Sequence, residues 1–336
     1  MSFPEASGQR VGLVIIGRNE GERLVRSLRS LSATRGAVVA AVVYVDSAST
    51  DGSVARAREA GAIVVPLDVS IPFTAARARN EGWTALVRHD PELEFVQFID
   101  GDCELDPDWL AAGLAFLAAH PEVAVVCGRR RERFPGASPY NRLCDMEWNT
   151  PVGQAEACGG DSLMRMAALQ AAGGFRSAMM AGEEPELCAR LRAAGWRIWR
   201  LDAEMTIHDA AMTRFGQWWM RGVRSGFGYA QVWSGTRDTA QPLYGRELAR
   251  TVGWGAVLPA AIFGGALLHP ALGAAGFAVY AAQIARVALR TGPTRAFSWR
   301  YGALMVISKF AEFQGLIRFL RRQGAKPASS IEYKAA

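Results

Sequence analysis

The chain has 336 residues, of which 50% are hydrophobic and 21% are charged, a composition that excludes a disordered or collagen-like protein. Its net charge is +6, from 38 basic and 32 acidic residues. Only three of the basic residues are lysines, and the first of them is Lys309. P-loop NTPases, protein kinases and Schiff-base enzymes each need a lysine in their sites, so residues 1–308 form none of these.

From Val11 onward, short β-branched runs alternate with longer amphipathic stretches. Near-continuous apolar runs predict five strands, at 11–16, 40–46, 62–67, 94–100 and 123–128. Helical spacing predicts helices between them, at 20–31, after Gly52, at about 75–87 and at about 107–119. This order indicates an α/β fold with a mostly parallel sheet covered on both faces. Ligands of such sheets bind beyond the carboxyl ends of the strands, so we expect a site in the loops that follow them.

Residues 129–215 are less regular. They contain the turn Gly159-Gly160-Asp161, a predicted helix over Gly182–Ala194 and two predicted strands, at 196–201 and 203–208.

Asp100-Gly101-Asp102 follows the fourth predicted strand. Two carboxylates one residue apart at the mouth of a parallel sheet can hold a hard cation such as Mn²⁺ or Mg²⁺ and leave positions open for a diphosphate. A solvated turn is the alternative, because the spacing is common by chance. The position directly after a buried strand favours the metal site.

Polar residues also follow the second and third predicted strands. Asp46 ends the second strand, where a carboxylate can accept a hydrogen bond from a nucleobase, whereas Asp51 suits the cap of the next helix. Arg77, Arg79 and Asn80 open the helix after the third strand. Arginine can pair with phosphate through two N–H groups, and the alternative is an ordinary basic helix face.

Glu183 and Glu184 begin the predicted helix behind Gly182. Acidic residues in a first turn complement the helix dipole, which is one reason to find them there. Carboxylates crowded together also have raised pKa values, so this turn can supply a general base. His208 ends a predicted strand and is either a structural residue or a metal ligand, a common role of neutral imidazole.

Taken together, these motifs resemble the family-2 glycosyltransferases, which have the GT-A nucleotide-sugar fold. The resemblance covers roughly residues 10–215 and consists of five segments in the family's order: VGLVIIGRNEGERLVRSLRSL, VVYVDSASTDGS, AARARNEG, IDGDCELDPDWL and GGFRSAMMAGEEPELCARLRAAGWRI. It implies a Rossmann-like, mostly parallel sheet flanked by helices. It also implies transfer of a sugar, with inversion, from a nucleotide-diphosphate sugar to an acceptor hydroxyl.

The resemblance further implies roles for individual residues. Glu184, with Glu183 beside it, would be the catalytic base, although the family usually has aspartate where this chain has Glu184. Asp102 and Asp100 would hold Mn²⁺ or Mg²⁺, with His208 approaching the metal from a later strand. The donor would contact residues around three strand ends and the third helix, namely Ile16, Arg18, Glu20, Asp46, Arg79, Asn80, Asp100 and Gly101. Arg221 and Arg224 would lie near the diphosphate or the acceptor.

Two other functions fit parts of the pattern. A nucleotidyltransferase shares the α/β layout, but it usually has a lysine and a glycine-rich loop where this chain has Gly17-Arg18-Asn19-Glu20. A membrane-anchored scaffold without activity is disfavoured by the intact Asp100, Asp102 and Glu184. We expect no nucleic-acid partner, because no basic run is interleaved with aromatic residues.

Residues 251–285 contain no Asp, Glu, Lys or Arg. With His269-Pro270 near their middle, they predict a hairpin of two short membrane spans, since one span needs about 20 apolar residues. A pair of buried or re-entrant helices is the alternative. Five arginines flank the stretch, which predicts that both ends face the cytoplasm at an inner membrane. They are Arg246, Arg250, Arg286, Arg290 and Arg295.

From Trp299 to Arg322, apolar residues recur at helical spacing with basic residues between them. This pattern predicts either a helix on an anionic membrane surface or a helix packed on the catalytic domain. Nine basic residues and one acid fall within 286–326, so the positive surplus lies there.

We therefore expect four regions: a catalytic domain at 10–215, a helical connector at 216–250, a hydrophobic hairpin at 251–290 and a basic amphipathic region at 291–325. The expected partners are a nucleotide-sugar donor, a lipid-linked or saccharide acceptor and an anionic membrane surface. The expected setting is cell-surface polysaccharide or glycolipid synthesis.

Overall fold

The computed structural model describes residues 9–292 and 294–322. Within these ranges the strands form one mixed sheet, in the order β3-β2-β1-β4-β8-β6-β9-β5, with β7 also paired to β9. The strands are β1 Arg10–Gly17, β2 Val38–Asp46, β3 Ile63–Pro66, β4 Phe95–Asp100, β5 Cys103–Leu105, β6 Val123–Glu132, β7 Gly153–Ala155, β8 Ser162–Arg165 and β9 Arg197–His208. The mostly parallel sheet predicted from the sequence is confirmed, because only β5, β7 and β8 run against the others in this part of the chain.

Helices cover both faces of the sheet. In the catalytic region they are α1 Glu22–Ser32, α2 Ser53–Glu59, α3 Ala75–His89, α4 Trp109–Ala119, α5 Pro139–Glu147, α6 Met166–Ala171 and α7 Glu183–Ala193. Alternate residues of β1 face opposite sides: Leu13 packs with Leu24 of α1 and Leu114 of α4. Val14 packs on the other side with Leu86 of α3. Burial on both faces explains why the central strands are almost entirely apolar in sequence.

The carboxyl ends of β1, β2 and β4 meet at one edge of the sheet. Gly17 is in register with Asp46, and Ile16 is in register with Asp100. The polar residues that follow these three strands in the sequence are therefore neighbours in the fold, as expected for a parallel sheet.

The two strands predicted at 196–201 and 203–208 are in fact the single strand β9. The chain does not turn at Asp202, because β6 extends to Glu132, beyond its predicted end at residue 128, and pairs with β9 through several register shifts. This extension places Arg130 on the sheet, and it brings the end of β9 back to β5, where His208 is in register with Cys103.

The remaining helices follow the catalytic region. They are α8 Phe215–Thr236, α9 Gly245–Val252, α10 Leu258–Leu268, α11 Pro270–Thr291 and α12 Ala296–Arg322, with a π-helical turn over Gly253–Val257. In the described ranges two continuous helices, Gly245–Leu268 and Pro270–Thr291, are long and apolar enough to cross a membrane. Position 293 and the predicted end of the amphipathic region at 323–325, together with Lys326, lie outside the described residues.

Helix α12 packs lengthwise on α8 through small residues. A Cβ atom at Gly226 of α8 would overlap the carbonyl of Glu312, and one at Gly315 of α12 would overlap the carbonyl of Val223. Glu312 itself is buried and accepts hydrogen bonds from Thr251 at 2.7 Å and from Lys309 at 2.7–2.8 Å. The face of α12 that carries Glu312 is therefore packed against α8 and α9, which lie mostly within the predicted connector.

Candidate active site

The loops after β1 and β2 are hydrogen-bonded to each other. Asn19 donates its main-chain N–H to Ser49 at 2.9 Å, and its side-chain oxygen accepts the N–H of Thr50 at 2.7 Å. Gly21 donates to Asp51 at 2.8 Å. Asp51 thus joins the two loops, in addition to accepting hydrogen bonds from Ser53 near the start of α2. The result is a fixed pair of loops beside the end of β4.

Asp46 is buried at the base of this pair of loops. Its carboxylate accepts the Tyr44 hydroxyl at 3.1 Å and the main-chain N–H of Ser49 at 2.9 Å. Burial, followed by the neighbouring Asp46 charge, raises the pKa of Tyr44, so this hydroxyl stays protonated and donates. Ala48, in the same turn, has a φ of 64°, a left-handed conformation that favours glycine.

The other residues expected to contact the donor near β1 lie around the same edge. The carbonyl of Ile16 accepts the N–H of Gly101 at 2.8 Å. Glu20 forms an ion pair with Arg23 at 3.0 Å. The guanidinium of Arg18 lies 5.6 Å from the centre of the Phe73 ring, which brings the β1 loop against the segment before α3.

Arg79 of α3 is buried and joins two acidic residues from distant parts of the chain. It donates to Asp100 at 2.8 Å and to Glu183 at 2.5 Å. Burial alone would lower the pKa of Arg79, but the Asp100 and Glu183 carboxylates outweigh it, and the pKa is raised. The main chain of Gly160 packs so closely on this guanidinium that a Cβ there would overlap it. Arg79 is therefore held as a fixed positive charge at the strand ends.

Asp161 supports Asp100 from below and was not among the predicted site residues. It is fully buried and accepts the main-chain N–H of Asp100 at 2.9 Å and the Thr206 hydroxyl at 3.0 Å. It also pairs with Arg130 at 2.6 Å, while Arg130 lies 3.7 Å from Asp100. Burial would raise the pKa of Asp100, but Arg79 and then Arg130 outweigh it and hold that pKa below its usual range.

Asn80 braces a loop. Its amide nitrogen donates to the carbonyl of Phe175 at 2.6 Å and to Ser177 at 2.9 Å. Its oxygen accepts from Phe175 at 2.9 Å and from Trp83 at 3.0 Å. The side chain thus holds the segment before α7 against α3.

Asp102 and His208 form the other half of the carboxyl edge. His208 Nε2 lies 3.1 Å from the Asp102 carboxylate, and its Nδ1 lies 3.9 Å from Glu132. Burial would lower the pKa of His208, but Asp102 and Glu132 outweigh it and raise that pKa. Trp148, just after α5, packs edge-on against the imidazole with 4.7 Å between ring centres.

The carboxylate and imidazole groups at this edge could act as ligands of a divalent cation. The ligand atoms of Asp102, Cys103 and His208 lie within 4.8 Å of one another, and those of Asp100, Cys103 and Asp161 form a second such group. Carboxylate oxygens suit both Mn²⁺ and Mg²⁺. Asp102 and His208 lie 3.1 Å apart in the first group and are the candidates for direct ligands. The Glu132 carboxylate lies behind His208 and accepts hydrogen bonds from Asn141 and from the main-chain N–H of Ala210.

The first turn of α7 points its two candidate bases in different directions. Glu183 faces Arg79 and the space beyond the strand ends. Glu184 points inward, and its two oxygens accept the main-chain N–H groups of Cys158 and Gly159, each at 2.8 Å, and the Cys188 thiol at 2.8 Å. Burial raises the pKa of Glu184, with these hydrogen bonds opposing the shift.

A cavity of about 270 Å³ lies between the carboxyl edge and α8. Residues 10–215, the catalytic unit, contribute Arg79, Asp100, Glu183 and His208, and Arg130 and Trp148 lie beside them. The opposite wall comes from α8 and the residue before α9, and consists of Arg221, Arg224, Ser225, Gly228, Tyr229 and Tyr244. Gly182, with a φ of 78°, packs against α8 so closely that a Cβ would overlap Val232. The start of α7 is thereby fixed against this wall.

The sequence analysis did not identify several residues of this site. Asp161 was noted only as part of a turn, although a carboxylate directly before the apolar strand β8 is a usable signal. Arg130 was missed because the fifth strand was predicted to end at residue 128. Trp148, Tyr229 and Tyr244 gave no signal, because aromatic residues within helices and at their ends occur in any core.

The mostly parallel sheet, covered on both faces and with acidic residues and a histidine around a cavity at its carboxyl edge, has the architecture expected for the GT-A class of glycosyltransferases. Residues 13–180, half of the chain, match the model of the family described as Glycosyl transferase family 2. The chain belongs to that family.

Two curated relatives are similar to this chain. The pre-mycofactocin glycosyltransferase of Mycobacterium tuberculosis is 28% identical over 219 residues, which are 60% of this chain and 43% of the relative. The chain thus matches less than half the length of that relative. The succinoglycan biosynthesis protein ExoA of Rhizobium meliloti is 27% identical over 292 residues, or 80% of this chain and 86% of ExoA.

Among solved structures, the mannosyltransferase PcManGT of Pyrobaculum calidifontis, in complex with GDP-Man and Mn²⁺, superposes with a TM-score of 0.63. It is 19% identical, and the match covers 95% of this chain and 90% of PcManGT. Residues 1–349 of TarS from S. aureus superpose with a TM-score of 0.51 at 13% identity, covering 95% and 93% of the two chains. At these identities the likeness concerns the fold.

Proposed function

We propose that this glycosyltransferase moves a sugar, with inversion, from a nucleotide-diphosphate sugar to a hydroxyl of a membrane-associated acceptor, and that it uses a divalent cation. One observation carries the proposal: Glu183 lines the same cavity as Asp100 and His208, with Arg79 between the two carboxylates. For in-line transfer, a base and the groups that hold a leaving diphosphate must border the same small space.

The donor would lie along the carboxyl edge. The pair of loops around Asp46 and Asn19 would seat the nucleotide, with Ile16, Arg18, Glu20 and Gly101 bordering it. Asp102 and His208 would hold Mn²⁺ or Mg²⁺, which would neutralise charge on the leaving diphosphate. Arg79 and Arg130 keep Asp100 ionised and fixed, so the edge is organised before the donor arrives.

Glu183 is the better placed of the two candidate bases. Glu183 lines the cavity, whereas both carboxylate oxygens of Glu184 accept hydrogen bonds from the main-chain N–H groups of Cys158 and Gly159. We propose that Glu183 accepts the proton of the acceptor hydroxyl and that Glu184 holds the turn leading to Gly160 and Asp161. The alternative, with Glu184 as base, requires Glu184 to leave those hydrogen bonds.

The acceptor would enter from the side of α8. This wall is formed by Arg221, Arg224 and Tyr229, and it ends at Tyr244, the residue directly before the apolar helix Gly245–Leu268. An acceptor attached to a lipid in the membrane would therefore reach the cavity without leaving the bilayer surface. Five exposed arginines flank the apolar hairpin, which supports attachment to an anionic inner membrane with the catalytic unit in the cytoplasm.

The relatives support a role in glycan synthesis. One is named for glycosylation of pre-mycofactocin and the other for succinoglycan synthesis. The Mn²⁺ in the PcManGT complex supports a divalent cation here. We propose cell-surface polysaccharide or glycolipid synthesis as the setting.

The donor and the metal can be identified with the detergent-purified full chain. Melting temperature is measured with UDP-, GDP- and dTDP-sugars, each with and without Mn²⁺, because a ligand that binds the native state raises its stability. The stabilising donor is then incubated with Mn²⁺ and membrane lipid extract, and the anomeric configuration of the product is determined. A retained anomeric configuration would refute inversion, and full turnover in EDTA would refute the metal.

The base is tested by a matched pair of variants. Glu183→Gln is expected to retain donor-induced stabilisation and to lose transfer by a factor of about 10²–10⁴, the usual contribution of a general base. Glu156→Gln, at an exposed glutamate, is the control and is expected to be fully active. Full transfer by Glu183→Gln together with loss of transfer by Glu184→Gln at unchanged donor affinity would assign the base to Glu184.

A further inference from the structure

In the apolar hairpin α10–α11, small residues lie between the helices and large apolar side chains face outward. A helix pair in water has the opposite arrangement. The contact face of the hairpin consists of small residues: a Cβ at Gly273 would overlap Ala266, and one at Gly276 would overlap Ile262. Its largest apolar side chains point outward, and they include Phe263, Leu267, Leu268, Leu272 and Phe277, all exposed. From 258 to 287, a fully described stretch, only Ile262 and Gly273 are buried.

This arrangement favours lipid over a second copy of the chain as the occupant of the outer surface. Helices in a membrane associate through small residues, because their large apolar side chains gain nothing by leaving lipid. Exposed apolar side chains lie on both helices, away from the face where α10 and α11 meet and the face where α11 packs on α12.

The turn at the tip has its N–H groups satisfied within the chain. His269 donates its N–H to Gly265 at 2.8 Å, and Leu272 donates to the His269 carbonyl at 3.0 Å. Pro270 has no N–H, and Ala271 donates to Nδ1 of the His269 ring at 3.2 Å. In hydrocarbon an unpaired polar backbone group costs several kcal/mol, so the proline and the imidazole cap lower the cost of burying the N–H groups of this turn.

The uncharged part of each helix in the hairpin is slightly shorter than the hydrocarbon core of a bilayer, although each whole helix is long enough to cross it. At 1.5 Å per residue, the uncharged residues 251–268 span about 27 Å and residues 270–285 span about 24 Å, whereas the hydrocarbon core is about 30 Å thick. No charged residue lies near the tip to hold it in the opposite headgroup layer. The exposed arginines all lie at the other end, at 246, 250, 286, 290 and 295.

We infer that the hairpin enters the bilayer from the cytoplasmic face and returns, with its tip at His269-Pro270 enclosed in the hydrocarbon of the far leaflet. The protein is then a one-sided membrane protein without a segment exposed on the opposite surface. This inference rests on the proposed membrane attachment and is independent of the proposed chemistry.

The test uses cysteine probes in the full chain, reconstituted in vesicles of phosphatidylcholine and phosphatidylglycerol. Leu268→Cys and Ala271→Cys report the tip from its two helices, and Arg295→Cys reports the base. A membrane-impermeant maleimide is applied outside in one arm and trapped in the lumen in the other. The unsubstituted chain sets the background of the five native cysteines, four of which are buried.

We expect Arg295→Cys to be labelled from the side of the catalytic unit, and both tip probes to be labelled from neither side until SDS is added. Labelling of the tip from the opposite side would overturn the enclosed tip and leave the attachment standing. Labelling of tip and base from the same side would overturn the attachment as well. Sugar transfer is assayed in detergent, so its success or failure tests the proposed function and does not depend on which labelling pattern is found.

The role of His269 is tested in the Leu268→Cys background. His269→Ala removes the acceptor of the Ala271 N–H and is expected to increase labelling of the tip several-fold. His269→Asn keeps an N-cap acceptor and is expected to stay shielded. Equal labelling of the alanine and asparagine variants would overturn the assigned cap.

Discussion

Arg79 donates a hydrogen bond to Asp100 at 2.8 Å, and this ion pair lies at the carboxyl edge of the sheet. The same guanidinium reaches Glu183, so one buried cation fixes a strand end and a helix start that are 83 residues apart in sequence. The guanidinium separates two carboxylates that would otherwise repel each other. It also ties the geometry of the donor side of the cavity to that of the proposed base.

Replacing Arg79 by methionine is expected to lower the free energy of unfolding by about 3–5 kcal/mol, because two partly buried carboxylates lose their partner. The double variant Arg79→Met/Glu183→Gln removes one of those charges and is expected to recover part of the loss. Urea denaturation of both single variants and the double variant measures the coupling. Strictly additive losses would contradict the ion pair.

Asp161 is expected to be essential for organising the edge although it does not line the cavity. Asp161→Asn breaks its pair with Arg130 and weakens the support of the Asp100 N–H. We expect a loss of about 3 kcal/mol in stability and weaker Mn²⁺-dependent stabilisation by the donor. Asp108→Asn, at a solvent-exposed ion pair with Arg35, is the control and should cost less than about 1 kcal/mol. Native donor binding by Asp161→Asn would refute this role.

Glu184 is expected to make stability depend on pH in a predictable direction. Its pKa is raised in the folded state, so the folded chain binds more protons than the unfolded chain above the unfolded carboxyl value of about 4.3. Its contribution is complete below that value and is lost as pH rises through the folded pKa. The difference in unfolding free energy between the native chain and Glu184→Gln should therefore fall, by up to about 1.4 kcal/mol per pH unit.

Glutamine at 184 also places an amide NH₂ against a main-chain N–H, which adds a cost that does not vary with pH. Only the slope of the difference is diagnostic. Parallel stability curves from pH 4 upward would contradict the raised pKa.

Ala48 is expected to be a strained position. Its φ of 64° is left-handed, and Ala48→Gly should stabilise the loop or leave it unchanged, with a gain of up to about 1 kcal/mol. Ala37→Gly, at the half-buried residue directly before β2 and without a positive φ, is the comparison and should be destabilising. Thermal unfolding decides between them, and a clear loss for Ala48→Gly would show that the turn needs its methyl group.

The contact of α8 with α12 is expected to tolerate no side chain at Gly226. Gly226→Ala should destabilise by about 1–3 kcal/mol, because the new methyl group overlaps the Glu312 carbonyl. Gly216→Ala on the same helix meets open space and should be neutral or stabilising by up to about 1 kcal/mol. Melting temperatures in one detergent compare the two. Equal effects would mean that α12 does not press on α8.

The local sequence pattern was sufficient to predict those parts of the structure that depend on residues close together in the chain. Apolar runs ending in Asp46 and Asp100 predicted both the strands and the edge where they meet, because burial on two faces dictates an apolar strand and parallel strands end together. The sequence also predicted an uncharged hairpin with a break at His269-Pro270. Each signal lies within a few residues of the structure it predicts.

Contacts between distant segments were decided only by the tertiary structure. The direction in which Glu183 and Glu184 point depends on how α7 is rotated against α8 and the Cys158–Gly159 turn. The position of Arg130 depends on β6 continuing alongside β9. Periodicity shows which face of an element is apolar, whereas packing decides which polar residues meet at its ends. The sequence alone therefore determined the family and the chemical groups, and the folded chain decided which carboxylate faces the cavity.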